Sequence, residues 1–212
     1  MILNNFLNLL KKIPIDLGQA NTNTNLRTTT KGKLIALNLV PEGVGKTALD
    51  VGCREGHQSK WLEHKGYQVT SIDQEKVYEQ CQIVDINDGL PFVDNSFDLI
   101  WCSEVIEHLI NPVKTIEEFE RVLKPGGKMI LTTPNSYFIL MNILHLFGLS
   151  PQKLQNIDHK QFFHFKDIKI LFPEAKIYGF FPYFLCRFKI TSLVGLLSPT
   201  FVIEKAKKAI PN

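Results

Sequence analysis

The chain has 212 residues, 44% hydrophobic and 21% charged, close to the average of ordinary globular proteins. That length suits one domain, or one domain with an appendage, and supports burial of a sizeable core. The net charge of +3, from 24 basic and 21 acidic residues, is less lopsided than a general polyanion binder requires, and four cysteines without a C-x-x-C pair (Cys53, Cys81, Cys102, Cys186) argue against a zinc cluster or a disulfide scaffold.

Residues 1–18 carry Ile2, Leu3, Phe6, Leu7, Leu9, Leu10 and Ile13 as a rough helical stripe ending near Pro14. Lysines follow rather than precede this stripe and no small-residue cleavage site appears, so it is a poor signal peptide. No apolar run reaches the roughly 18 residues of a membrane span. The expectation is a reduced, cytoplasmic protein with no transmembrane segment, whose N-terminal stripe serves as a cap or lies on a membrane surface. NTNTNLRTTTKGK reads as a polar linker. The division expected is therefore 1–30, helix and linker, and 31–212, one domain.

From there strands and helices alternate. TALDVG, YQVTSID, QIVDI and FDLIWCS are four successive strands, with a helical stretch around SKWLEHKG. NPVKTIEEFERVL is an amphipathic helix with Pro112 in its first turn, broken by Lys124-Pro125-Gly126-Gly127 before a fifth strand, KMILTTPN. The alternation predicts an α/β fold, a doubly wound and mostly parallel sheet with helices on both faces. After Pro134 an apolar helical segment, SYFILMNILHLFG, and a short helix within DHKQFFHFKDIKILF form an insertion over about 136–172. AKIYGFF and TFVIEKAKK close the sheet at seven strands.

Charge is unevenly spread: residues 85–120 hold nine acids and one lysine, whereas residues 151–212 hold ten bases and four acids. Solvated helix faces explain this, or a basic tail that meets an anionic partner.

Ligands of open parallel sheets bind outside the carboxyl ends of the strands. Asp50-Val51-Gly52-Cys53-Arg54-Glu55-Gly56 occupies that place after the first strand, and its glycines permit a tight turn and close approach of a ligand. Asp73 ends the second strand, where a carboxylate commonly holds a ribose diol, and Asp85 ends the third, within reach of an adenine edge. Three carboxylates around one crevice suit a cationic ligand such as S-adenosylmethionine. A dinucleotide fits less well, because Arg54 and His57 replace the second and third glycines of its fingerprint. Gly43-Val44-Gly45-Lys46-Thr47 has the ending of a triphosphate loop, but Val40 stands where that loop needs glycine, and the segment precedes a strand.

LDVGCREG, TSIDQ, IVDINDGLPFVDNSFDLIWCSEVIEHLINP, RVLKPGG and ILTTPN together resemble class I S-adenosylmethionine-dependent methyltransferases. The likeness is to their small-molecule, type 11-like branch with the ubiquinone-pathway O-methyltransferases, and is dense over residues 47–135. It implies a Rossmann-like fold and methyl transfer to a small-molecule acceptor, with oxygen the expected target. By this resemblance Asp50, Gly52 and Gly56 meet the methionine end of the donor, Asp73 the ribose, Asp85 and Ile86 the adenine, and Ser103 the methyl group. Arg54 departs from the family's glycine: it points to solvent or intrudes on the donor site.

Glu104, Glu107 and His108 stand at i, i+3 and i+4, so one helical turn would gather them on one face. Two oxygens and a nitrogen suit a divalent ion, magnesium, manganese or zinc, with His159 able to complete the set. The arrangement resembles metal-dependent ubiquinone-pathway enzymes and small-RNA terminal 2′-O-methyltransferases; the other reading of E-x-x-E-H is a structural turn. If the acceptor is a hydroxyl, a base is needed. His159 is preferred, with His108, Glu104 and His164 behind it. Tyr137, Phe138, Met141, Leu144, Phe162, Phe163 and Phe165 form either core or an apolar lid over an aromatic acceptor. Two alternatives remain, RNA terminal 2′-O-methylation and a silent donor-binding scaffold. Nucleic acid is not the expected partner, given the modest charge and the lack of an RNA-binding module.

Overall fold

The computed structural model describes residues 30–181 and 188–209, so the N-terminal stripe and the polar linker up to residue 29 lie outside the described residues. The first element is a helix, α1 (Lys31–Leu39), where the sequence reading ran the linker on to Lys33. Thr30 caps it by accepting from Lys33 N, and Ile35 and Ala36 are buried beneath it.

Next come β1 (Thr47–Val51), α2 (His57–His64), β2 (Gln68–Asp73), β3 (Cys81–Ile83) and β4 (Phe97–Ser103). They are followed by α3 (Pro112–Val122), β5 (Leu123–Pro134), α4 (Ile139–Leu146), α5 (Pro151–Leu154) and α6 (Phe165–Leu171). The described chain closes with β6 (Lys176–Phe180), β7 (Lys189–Ile190), α7 (Val194–Leu197) and β8 (Thr200–Ala206).

The strands form one sheet in the order β3-β2-β1-β4-β5-β8-β6-β7. β1 pairs in parallel with β2 and β4, β2 with β3, and β4 with β5; β8 runs antiparallel to β5 and β6. The expected α/β architecture is present, with eight strands among the described residues rather than seven. The extra one is the two-residue β7, which pairs Ile190 and Lys189 with Gly179 and Phe180.

Alternation along the strands builds two cores. Leu49, Val51, Ile100, Cys102, Leu131 and Ile203 face one side with Ile116, Phe119 and Val122 of α3. Ala48, Leu99, Trp101, Ile130 and Val202 face the other with Ile35 and Ala36 of α1 and Leu62 of α2. Each large side chain buried this way contributes about 1.5–3 kcal/mol.

Two strand boundaries differ from the sequence reading. β5 begins at Leu123, before the Lys-Pro-Gly-Gly turn: Phe97 pairs with Leu123 and Leu99 with Lys128, so the turn bulges out of a continuing strand. β3 ends at Ile83, which leaves Asp85 in the loop beyond it. No helix among the described residues is long and apolar enough to cross a membrane.

Candidate active site

The carboxyl ends of β1, β2 and β4 open on a cavity of about 730 Å3. Its first wall is the loop after β1. Gly52 has φ +77, and a Cβ there would lie 2.4 Å from Val105 Cγ2. Only glycine fits both the conformation and the space. Its N–H, and that of Cys53, donate to Ile72 O at 2.9 and 3.2 Å. Gly56, at φ +75, starts α2, and a Cβ there would strike the Tyr78 ring at 2.5 Å.

Arg54 also lies in the left-handed region, at φ +47, the conformation a glycine adopts freely. Its N–H donates to Asp73 Oδ2 at 2.9 Å, and the residue is exposed at the cavity rim. Arg54 is therefore both exposed and part of the cavity wall.

Asp73, Gly52, Ile86 and Ser103 line the cavity, as the resemblance implied. Asp50, Gly56 and Asp85 do not appear in its wall. Asp50 is buried behind the loop, where Ser59 Oγ donates to Oδ2 at 2.5 Å and Ser71 Oγ donates to Ser59 Oγ at 2.8 Å. Burial pushes its carboxyl up to about 6, against the Ser59 hydrogen bond and the charge of Lys33. Asp50 therefore braces the loop from below. Asp85 is exposed and turned to its own loop, accepting from Asn87 N at 2.9 Å, Asn87 Nδ2 at 2.8 Å and Gln74 Nε2 at 3.1 Å. The Asn87 contacts hold its carboxyl below the usual range. Gln74 and Ile86, on either side of it, are the residues that reach the cavity.

The far wall is the turn after β4. Glu104 has φ +58 and sits ahead of a 3-10 turn spanning Ile106–His108, so the expected helical face of Glu104, Glu107 and His108 is not formed. Glu104 instead receives Thr132 Oγ1 at 2.8 Å. Because the single Thr132 hydroxyl proton is committed there, Ser103 Oγ is the donor in its 2.8 Å bond to Thr132 Oγ1.

Glu107 is buried; Thr133 Oγ1 donates to its Oε2 at 3.0 Å, while Oε1 has no hydrogen-bond partner. Desolvation, with Glu104 close by, drives its carboxyl well above the ordinary range. The Glu107 carbonyl accepts from Lys160 N and Gln161 N, both at 2.9 Å, which draws the 158–161 segment down onto the turn. His108 Nδ1 lies 3.1 Å from the Asp158 carbonyl. A carbonyl only accepts, so Nδ1 carries a proton, and Nε2 is the ring nitrogen left for another partner. The His159 ring meets His108 edge to face at 4.8 Å, and Nδ1 lies 3.4 Å from Gln155 Oε1. Burial and the neighbouring His108 pull the His159 imidazole down to about 4, so it is neutral at physiological pH.

Glu107, His108 and His159 thus converge, with one ligand atom each and all within 4.8 Å of one another. Of the residues the sequence grouped, Glu107 and His108 converge with His159, which was offered to complete the set, and Glu104 is not among them. His164 is not in the wall. It caps α6 with Asp167 and stacks on Tyr137 at 3.4 Å. The aromatic lid is likewise absent from the wall: Phe138, Met141 and Leu144 pack with Leu149, and Phe163 joins the main core. Leu154–Lys160 supplies that wall instead, and Thr30 and Lys33 of the α1 region supply another part that the sequence reading did not find.

Residues 49–131 match the family described as "Methyltransferase domain". The ubiquinone biosynthesis O-methyltransferase of Coxiella burnetii is 31% identical over 141 residues, which is 57% of this chain and 58% of that protein. The protein of the same name from Xanthomonas oryzae pv. oryzae is 33% identical over 105 residues, 43% of this chain and 44% of its own. The chain thus spans about half the length of the curated relatives it matches. A methyltransferase structure from Archaeoglobus fulgidus superposes with TM-score 0.62 at 17% identity, covering 86% of this chain and 97% of that one. One from Thermotoga maritima, titled a possible histamine N-methyltransferase, gives 0.64 at 18%, covering 98% and 99%. At those identities the superpositions speak for the fold. Sheet order, glycine loop and sequence likeness agree: residues 49–131 match the methyltransferase-domain family, and the chain has the fold of S-adenosylmethionine-dependent methyltransferases and is similar to the ubiquinone biosynthesis O-methyltransferases.

Proposed function

We propose that the chain transfers the methyl group of S-adenosylmethionine to the hydroxyl of a small, apolar or aromatic acceptor. The observation that carries this reading is one cavity running from Gly52, Asp73 and Ile86 to Ser103, His108 and His159. The first end suits an adenosine: a carboxylate at the tip of β2 for a diol, a buried isoleucine for a base, and a glycine that admits backbone contact. The second end is where an acceptor enters. The names of the relatives support oxygen as the target.

Methyl transfer from a sulfonium is an in-line displacement, so alignment and the exclusion of water supply most of the acceleration. Here Ser103, Thr132 and Glu104 form a fixed hydrogen-bonded row beside the reacting centre, and the clamp of residues 158–161 onto Glu107 closes the cavity floor. A hydroxyl acceptor must lose its proton. His159, though neutral, is a weak base at a value near 4.

Glu107, His108 and His159 fit a divalent ion better than a base acting alone. Two imidazoles are left with Nε2 for another partner and a buried carboxyl oxygen is otherwise unpartnered. Such an ion, magnesium or zinc, supplies Lewis acidity that lowers the pKa of an acceptor hydroxyl. His108 and His159 would hold it through their ring nitrogens and Glu107 through its unpartnered carboxyl oxygen, which would balance the charge. The test is methyl transfer from labelled donor to a panel of phenols and catechols, with chelated and metal-replenished protein. Transfer restored by the ion supports the whole reading, full transfer without any ion removes the metal, and no transfer to any hydroxyl removes the acceptor class.

A further inference from the structure

The turn that follows α5 touches both histidines of the cluster, and it lies outside the matched residues 49–131. α5 stops at Gln155, whose backbone is extended at φ −92 and ψ 179 while its N–H still donates to Pro151 O at 2.8 Å. Asn156 then folds the chain: its Oδ1 accepts from Asp158 N at 3.3 Å and its carbonyl from His159 N at 3.1 Å. This sets His159 back beside Gln155, and the N–H groups of Lys160 and Gln161 pin the end of the turn to the Glu107 carbonyl. Each imidazole meets the turn through Nδ1. His108 Nδ1 donates to the Asp158 carbonyl, and His159 Nδ1 lies 3.4 Å from Gln155 Oε1.

Gln155 is itself held by a second residue. Ser136 Oγ donates to the same Oε1 at 3.0 Å. Ser136 is buried just after β5, and its own N–H donates to Phe163 O at 3.3 Å. The neighbouring Asn135 fixes that stretch further, donating from Nδ2 to the carbonyls of Gly195 and Ser198. An amide oxygen has two lone pairs, so one bond from Ser136 leaves one for an imidazole N–H. Resting on the site proposed above, we infer that Gln155 is a positioning residue: its amide oxygen, braced by Ser136, keeps the His159 proton on Nδ1 and leaves Nε2 as the lone pair offered to the cluster with Glu107 and His108. A neutral imidazole is otherwise free to carry its proton on either nitrogen. The Nε2–H form would present a donor where a cation needs a lone pair.

The experiment reads the tautomer directly, by NMR of the ring nitrogens in the full chain at neutral pH, with the His159 signals assigned by their loss in His159→Gln. Zinc affinity by isothermal titration is the second measurement. The wild type is expected to show a protonated Nδ1 and a bare Nε2. Gln155→Leu should move the proton partly to Nε2 and weaken zinc by about tenfold or more, the usual cost of losing the outer partner of a metal-binding histidine. Gln155→Glu keeps an acceptor oxygen and should restore both. A wild-type ring protonated at Nε2 overturns the inference without any variant. So does a Gln155→Leu ring whose tautomer and zinc affinity match the wild type. Equal losses in Gln155→Leu and Gln155→Glu mean that the side chain only shapes the turn, and overturn it too. Where no protein takes up zinc and the tautomer still follows Gln155, the inference stands and the ion of the proposed function falls.

Discussion

Asp50 and Gly52 stand two positions apart at the end of β1 and do opposite kinds of work. Gly52 is the point of contact between the loop after β1 and the turn after β4. Gly52→Ala adds left-handed strain and a methyl group 2.4 Å from Val105 Cγ2, so it should cost about 1–3 kcal/mol and reduce donor affinity. Adding Val105→Ala removes the collision but not the strain. The double variant should recover part of the loss, and chemical denaturation of the four proteins of that cycle measures how much. Asp50 ionises only against burial. Its native value of about 6 exceeds the ordinary 3.8, so the native state favours the protonated form and stability falls as pH rises through 6. Asp50→Asn cannot ionise and escapes that loss. Relative to wild type it should gain up to about 3 kcal/mol between pH 4 and pH 7.5, read from denaturation at each pH. A constant difference across that range would show that Asp50 is not strained by burial. Gly52 and Asp73 were legible in the sequence because spacing alone puts them at strand ends. Asp85 was misplaced, because a carboxylate two residues past a short edge strand turns to its own backbone, and spacing does not reveal that.

Among the elements, α4 shows most plainly what an apolar sequence leaves undecided. Ile139, Met141, Ile143, Leu144 and Leu146 suggest one hydrophobic helix, yet Met141 and Leu144 are buried in a local cluster while Leu146 is 84% and Phe147 72% exposed. Met141→Ala should therefore cost about 2–5 kcal/mol and Leu146→Ser less than about 0.5 kcal/mol in thermal or chemical unfolding. Comparable losses at both would mean that the outer face is covered as well. The Glu104–His108 segment failed in a related way. An i, i+3, i+4 pattern assumes a helix already running at Glu104, but the left-handed Glu104 delays the turn until Ile106, and the third member of the cluster is His159, far along the chain. α1 was missed because its start lies within a polar run, KGK, and its inward face is built from Gly32, Ile35 and Ala36, small or few side chains that give a weak periodic signal.

For the whole molecule, strand order brings together what the sequence keeps apart. β1 lies between β2 and β4, so the loops after all three strands open at one crevice, and the crossover from β5 through α4 and α5 returns residues 154–160 over it. The alternation of strands and helices made a doubly wound, mostly parallel sheet with two closing strands readable in advance; the antiparallel place of β8 between β5 and β6 was not. The lid was not readable, since residues that could cover an acceptor serve equally well as core: Phe138, Met141 and Leu144 are buried in a local cluster and Phe163 in the main core. The central claim is that the cavity at the carboxyl ends of β1, β2 and β4 holds a methyl donor. It is tested most directly by a crystal structure with saturating S-adenosylhomocysteine. Density for its ribose at Asp73 and its adenine against Ile86 is the predicted result; ordered ligand elsewhere, or a vacant cavity at saturation, would contradict the account.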